Sequence, residues 1–192
     1  MPILSHLTVI PDFYEQIEGW FDFDNIYDAA ISEVNQPCVF VEIGCWLGRS
    51  TAYMGSRIAQ SGKDIRFFGI DGWVGFRDDK PYNHIFAQFL ANMLSAGVAD
   101  YVSPLRMLSI EAVSLFSDAS LDFVYIDGDH SYEGVLTDLR AWFPKLKPGC
   151  LFAGHDYSTD SVKQAVEEFF GGPVQSDRSS WIVRKAYAPE TK

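Results

Sequence analysis

The chain has few cysteines and no paired arrangement of them. Cys38, Cys45 and Cys150 are the three cysteines among 192 residues, and no two have C-x-x-C spacing. This pattern argues against a disulfide framework and a structural zinc site, and favours a reducing compartment. The first residues, MPILSHLTVIPDFYEQ, also lack the basic start and apolar stretch of a secretory signal. We therefore expect a cytoplasmic protein.

Long apolar runs and an excess of basic residues are missing as well. No run approaches the roughly 20 apolar residues that a membrane helix needs. Lys and Arg number 15 against 26 Asp and Glu, for a formal net charge of −11. A field of this sign opposes phosphate backbones and anionic lipid surfaces, so we expect neither nucleic acid nor a membrane as a partner.

The sequence does contain a repeated alternation of short apolar runs and helical patterns. The runs, rich in β-branched and aromatic residues, cover 38–43, 65–70, 101–106, 121–126 and 150–153. Helical patterns follow them over 49–59, 86–96, 109–116, 132–146 and 161–170, with Ser109 as the expected N-cap of the third. A hairpin pattern over 173–183 ends the series. The alternation predicts an α/β, doubly wound, Rossmann-like sheet with helices on both faces and an antiparallel closing strand.

We expect two parts along the chain. Residues 1–35 read as an N-terminal helical extension, and residues 36–192 as the Rossmann-like domain. The extension contains large apolar residues that could cover the acceptor site or a second copy of the chain: Ile10, Phe13, Tyr14, Trp20 and Phe21. A homo-oligomer is one expectation from this composition.

The first strand leads directly into Gly44-x-x-x-Gly48 and a helix start. Glycines at such a turn let the backbone approach a ligand, and the first helix amides face the same space. The spacing is neither G-x-G-x-x-G nor a P-loop. Glu42, inside the apolar strand, needs a buried partner. Asp71 ends the second strand, where an acidic residue either accepts hydrogen bonds from a ribose or caps the following loop.

Acidic and imidazole side chains follow two further strands. Asp127, Asp129 and His130 come after the fourth strand, and His155 and Asp156 after the fifth. Carboxyl ends of neighbouring parallel strands meet at the edge where open α/β sheets bind ligands. Clustered carboxylates there favour a bound cation, although a hydrogen-bonded surface rim is the alternative.

His130 has two interpretations. Its unperturbed pKa is near neutrality, which suits a general base. Alternatively it packs near the start of the next helix with Asp129 as its hydrogen-bond partner. Asp129, Ser131 and Glu133 themselves are best explained as N-terminal capping and dipole compensation of that helix.

Together, VEIGCWLGRST, the strand-two end IDGW, IDGDHSYEGVLTDLRAWFPKLKPG and GHDY resemble class I S-adenosylmethionine-dependent methyltransferases of the methyltransferase-24-like family. The resemblance covers residues 38–157 and, through the hairpin, nearly the whole chain. It implies a seven-stranded sheet, mostly parallel with the last strand antiparallel. It also implies S-adenosyl-L-methionine as cofactor, with Glu42 and Gly44 at its methionine end, Asp71 at the ribose, the segment 107–109 with Ser109 along the adenine, and Gly48 and Asp127 completing the set.

The related catechol and macrolide-sugar O-methyltransferases imply a metal and a base. The resemblance places a divalent ion, Mg²⁺ or Mn²⁺, on Asp127, His155 and Asp156, and makes His130 the general base beside Asp127. Two positions depart from the pattern. His155 stands where an acidic residue is usual, and Leu108 stands where many relatives have an acidic residue facing adenine.

The expected function is O-methylation of a small hydroxylated acceptor. Residues 72–86, with Trp73, Phe76, Tyr82 and His84, form either a mobile aromatic lid over the acceptor or an ordinary surface loop. The alternatives are a metal-dependent hydroxylase or hydrolase on the same scaffold, and a cofactor-binding module without chemistry.

Overall fold

The structure, a computed structural model, describes residues 8–35, 37–74 and 83–187. Within them the strands form one seven-stranded sheet in the order β3-β2-β1-β4-β5-β7-β6. The strands are β1 Cys38–Ile43, β2 Ile65–Asp71, β3 Val102–Arg106, β4 Leu121–Ile126, β5 Leu146–Gly154, β6 Gln175–Asp177 and β7 Ser180–Arg184. Strand β7 runs antiparallel to both β5 and β6, and the remaining neighbours pair in parallel. The predicted fold class is confirmed.

Helices cover both faces of the sheet. They are α1 Asp24–Glu33, α2 Arg49–Ser61, α3 Asn83–Ser95, α4 Ser109–Ala112, α5 Tyr132–Trp142 and α6 Asp160–Phe170. Side chains of α1, α2 and α3 share one core cluster, and those of α4, α5 and α6 share the other. Among the described residues, no helix combines the length and apolar content that a membrane crossing requires.

The strands are apolar on both faces because both faces are covered. Phe40 and Phe123 point into the first core cluster, whereas Val41 and Val124, their neighbours in sequence, point into the second. All four side chains are fully or almost fully buried. This alternation decides to which face of the sheet each residue at a strand end points.

The chain ahead of β1 packs on the first core cluster. Helix α1 contributes Ile26 and Tyr27 to that cluster, and the preceding residues Phe13, Tyr14 and Phe21 pack against it. Of the apolar residues expected to be exposed in this segment, Ile10 and Trp20 are exposed and the other three are partly buried.

Two local predictions were wrong. Ser109 is the first residue of α4, and its N-cap is Leu108, because the Ser109 hydroxyl turns away to bond another helix. Strand β5 begins at Leu146 and not at residue 150 as predicted, so Lys147-Pro148-Gly149 lies inside the strand. Because of these additional residues, the pairing of β5 with β4 shifts in register. The Gly149 amide donates a hydrogen bond to the Lys185 carbonyl, beyond the end of β7.

Candidate functional site

The site lies at the carboxyl ends of the central strands. Strands β1 and β4 are neighbours, but the chain continues from β1 to one side of the sheet and from β4 to the other. This is the switch point at which open α/β sheets leave a crevice for ligands. Four segments border it: 44–48 after β1, 71–74 after β2, 107–109 after β3 and 127–130 after β4.

Gly44 lets the ends of β1 and β4 touch. Its φ is +86°, and a Cβ built on it would lie 1.9 Å from the carbonyl oxygen of Asp127. The Asp127 amide in turn donates a hydrogen bond of 2.7 Å to the Ile43 carbonyl. Gly48 also has a positive φ, +87°, but a Cβ there would meet side chains, with Met93 Cε at 2.6 Å and Phe89 Cδ2 at 2.8 Å. The backbone contact thus requires glycine at position 44, and the left-handed conformation favours it at position 48.

Asp71 shapes the loop between the two glycines. Its Oδ2 accepts hydrogen bonds from the amides of Cys45 at 3.0 Å and Trp46 at 2.9 Å, and its Oδ1 accepts one from Trp73 at 2.6 Å. These are the contacts of a loop-capping aspartate. A carboxylate has four lone-pair sites, so one acceptor site is left and the ribose role stays a prediction.

Trp73 belongs to the core. It is 2% exposed, packs at a tilt against the rings of Phe86 and Phe89, and its indole N–H donates to the Trp46 carbonyl at 2.8 Å. Trp73 therefore packs in the core and does not offer a free ring to a lid over the acceptor. Phe76 and Tyr82 lie outside the described residues, and His84 is exposed.

Glu42 lies in a buried polar cluster behind the glycine loop. It is 1% exposed and accepts hydrogen bonds from Tyr27 at 2.9 Å, Ser50 at 2.5 Å and Thr51 at 2.6 Å. Burial raises the pKa of Glu42 to about 7, although these hydroxyl donors oppose the rise. The buried partners expected for Glu42 are thus hydroxyl groups of α1 and α2. Contact of Glu42 with the cofactor remains a prediction.

Backbone strain is concentrated at this rim. Among the described residues, five that are not glycine have positive φ, and three of them, Trp46, Trp73 and Asp156, lie in loops that follow strands of the sheet at its carboxyl edge. Such conformations cost of order 1–3 kcal/mol each and cluster at functional sites. The strain supports the choice of this edge as the candidate site.

Ser109 and Asp138 join the third segment of the rim to α5. The Ser109 hydroxyl donates to Asp138 Oδ1 at 2.6 Å and accepts from the Trp142 indole N–H at 2.7 Å. Asp138 was missed by sequence reasoning. Its signal was an acidic residue among the apolar positions of α5, where Val135 and Leu139 face the core.

His130 lies between two carboxylates. Its Nε2 is 3.5 Å from Asp127 Oδ1 and 3.1 Å from Asp156 Oδ2, and about half of its side chain is exposed. The hydrogen bond to Asp127 raises the pKa of His130 above its ordinary value despite partial burial. Asp129 instead accepts a hydrogen bond from the Ser131 amide, and Ser131 caps α5 as predicted. The ring is therefore turned toward the rim rather than toward Asp129.

His155 is held more tightly than His130. Its Nδ1 is 3.6 Å from Asp127 and 3.4 Å from Asp156, and its Nε2 is 3.1 Å from Asp22 and 2.8 Å from Ser179. Burial alone would lower the pKa of His155, but hydrogen bonds with Asp127 and Asp156 outweigh it and raise the pKa to about 10. Asp22 and Ser179 were not predicted, since they come from segments at opposite ends of the chain.

The structure thus brings the predicted catalytic and metal residues together at one point of the rim. Asp127, His130 and Asp156 can each offer one ligand atom, and these atoms lie within 4.8 Å of one another. Burial alone would raise the pKa of Asp127, but hydrogen bonds from the two histidines lower it, so Asp127 is ionised at neutral pH. The cluster can hold a cation or accept a proton.

The comparisons with known proteins agree with this geometry. A family model described as "Methyltransferase domain" matches residues 41–157, which include the glycine loop and both acidic strand ends. The match covers more than half of the chain, so the protein belongs to this methyltransferase family. The class expected from the motifs, the class I S-adenosylmethionine-dependent methyltransferases, is confirmed.

Individual relatives are more distant. The Uncharacterized protein y4gI of Sinorhizobium fredii (strain NBRC 101917 / NGR234) is 24% identical over 151 residues, which cover 76% of this chain and only 16% of that protein. The O-methyltransferase NovP has a TM-score of 0.70 at 18% identity, over 85% of this chain and 79% of its own. A SAM-dependent O-methyltransferase from Thermotoga maritima has a TM-score of 0.66 at 12% identity, over 95% of this chain and 74% of its own. At these identities the solved structures show the shared fold.

Proposed function

We propose that this protein transfers a methyl group from S-adenosylmethionine to a hydroxyl group of a small acceptor. The observation that carries the proposal is the half-exposed ring of His130 between Asp127 and Asp156. A hydroxyl oxygen becomes a strong nucleophile only when its proton leaves, and a positioned histidine is the most frequent base for that step. The two solved structures described above are O-methyltransferases, which supports the same chemistry.

The residues of the rim fit this cofactor by charge. Its sulfonium and amino groups are positive, and the rim presents the carboxylates of Asp71 and Asp127. When bound, the cofactor supplies an electrophilic methyl group. The chain's own residues hold the acceptor oxygen in line with the bond between the methyl carbon and the sulfur, and keep it from approaching the methyl group in other directions.

His130 takes the acceptor proton at Nδ1, because Nε2 faces Asp127 and Asp156 and holds its own proton toward them. Asp127 and Asp156 then face an imidazolium, and both carboxylates are within 3.5 Å of its Nε2. A carboxylate beside a catalytic histidine both orients the ring and stabilises its protonated form. Asp127 and Asp156 therefore act through His130 in this step.

We infer that Mg²⁺ or Mn²⁺ assists, with Asp127 and Asp156 as oxygen ligands. A bound ion would lower the pKa of the acceptor hydroxyl. His155 fits the ligand set less well than the other two, because its raised pKa keeps both ring nitrogens protonated and Nε2 is engaged by Asp22 and Ser179. A protonated imidazole offers no lone pair to a metal.

The test is incubation with methyl-labelled S-adenosylmethionine and a panel of catechols, sugars and hydroxylated acids. The expected result is a labelled methyl ether and one S-adenosylhomocysteine per ether formed. A hydroxylase would instead add oxygen to the product, and a hydrolase would add water, in each case without label. A module without chemistry would bind S-adenosylhomocysteine and convert no acceptor.

A further inference from the structure

Arg49, the first residue of α2, has a guanidinium group that is only partly used. Its Nη1 donates hydrogen bonds to the carbonyls of Ile17 at 3.4 Å and Gly19 at 3.0 Å. Among the described residues, its Nε is the one buried side-chain nitrogen or oxygen without a hydrogen-bond partner. A buried N–H without an acceptor is costly, so a group that supplies an acceptor there would bind favourably.

An open cavity of about 620 Å³ lies beside Arg49, and its size is that of a small-molecule site. It is bordered by the start of α2, by the chain from residue 14 to the start of α1, and by the turn between β6 and β7. Two aromatic rings, two arginines and two carboxylates line it: Tyr14, Phe21, Arg49, Arg178, Glu15 and Asp24. Aromatic surface with a few charged groups suits a small polar molecule.

Arg49 is the lining residue whose charge is not balanced inside the cavity. Arg178 forms an ion pair with Asp24, so these two charges offset each other. Glu15 is exposed, so water and salt screen its charge, and no ion pair joins it to Arg49 in the part of the chain that the structure describes. Nε and Nη2 lie on one edge of the guanidinium, and two parallel N–H bonds from such an edge match the oxygens of a carboxylate or phosphate. The cavity therefore favours an anion at Arg49.

The cavity borders the candidate site. Arg49 directly follows the glycine loop, and the chain that passes over Arg49 packs on that loop, since a Cβ built on Gly19 would lie 3.6 Å from the Trp46 ring. Three residues farther along the same segment, Asp22 contacts His155 Nε2 at 3.1 Å. One chain segment thus borders both the cavity and the carboxylate cluster at the rim.

Neighbouring residues of α2 separate this cavity from Glu42. Ser50 and Thr51 donate to Glu42, whereas Arg49 reaches the carbonyls of the chain ahead of α1. The methionine end of the cofactor is expected at Glu42. An anion at Arg49 therefore belongs to the acceptor in this interpretation.

We propose that Arg49 binds a carboxylate or phosphate group of the acceptor, so that the acceptor is a small hydroxylated anion. The inference rests on the proposed function, since it names the class of molecule that receives the methyl group. The rings of Tyr14 and Phe21 would pack against the apolar part of the same molecule. Because the chain carries a net charge of −11, an anionic acceptor needs a local cation of this kind.

The test uses pairs of probes that differ in one charged group: dihydroxybenzoate and its methyl ester, glucuronate and its methyl ester, and a sugar phosphate and the free sugar. Each probe is titrated by calorimetry into protein saturated with S-adenosylhomocysteine. In at least one pair, wild type should bind the anion about 10-fold or more tightly than the neutral probe, the effect of a hydrogen bond to a charged group. Added salt should reduce this preference.

Variants of Arg49 separate its charge from its support of the fold. In Arg49→Gln the preference should fall to within about 3-fold through weaker binding of the anion, whereas damage to the fold would weaken both probes alike. Arg49→Lys keeps the charge without the fork and should retain part of the preference. Arg57→Gln is the matched control and should bind like wild type, because Arg57 also lies on α2 but pairs with Asp28 and does not line the cavity.

The outcomes distinguish the inference from the function beneath it. Equal or absent binding of anion and neutral probe by wild type in every pair, or an unchanged preference in Arg49→Gln, overturns the inference and leaves methyl transfer standing. If Arg49→Gln loses affinity for S-adenosylhomocysteine as strongly as for the anion, the inference is also overturned, because the anion is then the carboxylate of the cofactor. Anion binding that depends on Arg49, without methyl transfer to any probe, supports the anion site and counts against the proposed function.

Discussion

The Nε2 atom of His130 lies 3.1 Å from Oδ2 of Asp156, although the two residues follow different strands. The contact arises because β4 and β5 are parallel neighbours whose carboxyl ends meet at one edge of the sheet. It turns the imidazole toward the carboxylates at the ends of β4 and β5, and away from Asp129 at the start of α5.

Removing the His130 imidazole should slow methyl transfer and spare cofactor binding. For His130→Ala we expect a rate lower by roughly 10²–10⁴-fold, the range typical of a positioned base. Affinity for S-adenosylhomocysteine, measured by calorimetry, should stay near wild type because the ring serves the acceptor. Near-normal turnover, or a loss of affinity equal to the loss of rate, would contradict the role as base.

Removing divalent ions should lower the rate. Asp127 and Asp156 offer oxygen ligands that suit Mg²⁺ and Mn²⁺. After chelation and dialysis, activity should fall and return when either ion is added, and Asp156→Ala should abolish the response to added ion. Unchanged activity of the chelated protein would contradict metal assistance.

Replacing His155 should affect stability in a pH-dependent way. The pKa of His155 is raised to about 10 in the folded chain, above the value of about 6.5 expected when unfolded. Stabilisation from a raised pKa is complete below the unfolded value and is lost as pH rises through the folded value. The difference in unfolding free energy between wild type and His155→Gln, measured with urea in the presence of a chelator, should therefore shrink from about pH 6 to about pH 10. A pH-independent difference would mean that the ring is neutral throughout.

Gly44→Ala should be far more disruptive than Gly62→Ala. Both glycines have positive φ, +86° and +64°, but an added Cβ meets the Asp127 carbonyl at 1.9 Å in the first case and nothing within 4 Å in the second. Gly62→Ala should cost about 1–2 kcal/mol from the left-handed backbone alone. Gly44→Ala adds a steric clash of the kind that costs a further 1–3 kcal/mol or more, measurable by urea unfolding. Similar losses in the two variants would contradict the close approach of β1 and β4.

Asp71→Ala should weaken cofactor binding by about 1–3 kcal/mol, as expected for lost hydrogen bonds to a charged group. The variant removes the acceptor for the Cys45, Trp46 and Trp73 amides, so the glycine loop loses its anchor. Asp64→Ala, an exposed carboxylate at the other end of β2, is the matched control and should bind normally. Equal affinity in the two variants, measured by calorimetry, would argue against any role of Asp71 in the pocket.

The sequence predicted those features that depend on local pattern. Strands β1 and β4 begin and end where predicted, because their apolar runs stop at Gly44 and Asp127. The start of β5 was missed because its first residues are strand only through pairing with β4 and the segment after β7. Local propensity for Pro148 and Gly149 indicates a turn, and tertiary pairing overrides it.

Like the fold, the candidate site could be predicted only where its residues follow a local pattern. Residues that directly follow strands, such as Asp127 and Asp156, were placed at one rim by the parallel topology alone. Asp22 and Ser179 reach His155 from distant segments, and no spacing in the sequence connects them. Asp138 did carry a signal, since an acidic residue on the apolar side of a helix requires a partner.

The contact between Gly44 and Asp127 sets a limit on how this protein can change its substrate. The loop that follows β1 and the residue that follows β4 are joined backbone to backbone, by a hydrogen bond and by an approach too close for a Cβ on Gly44. In the proposed reaction, the separation between methyl donor and base is then set by two main chains, independent of the side chains lining the acceptor. We therefore expect that selectivity for a new acceptor can be altered in segments outside these two loops, such as the chain ahead of α1, without changing the reaction itself.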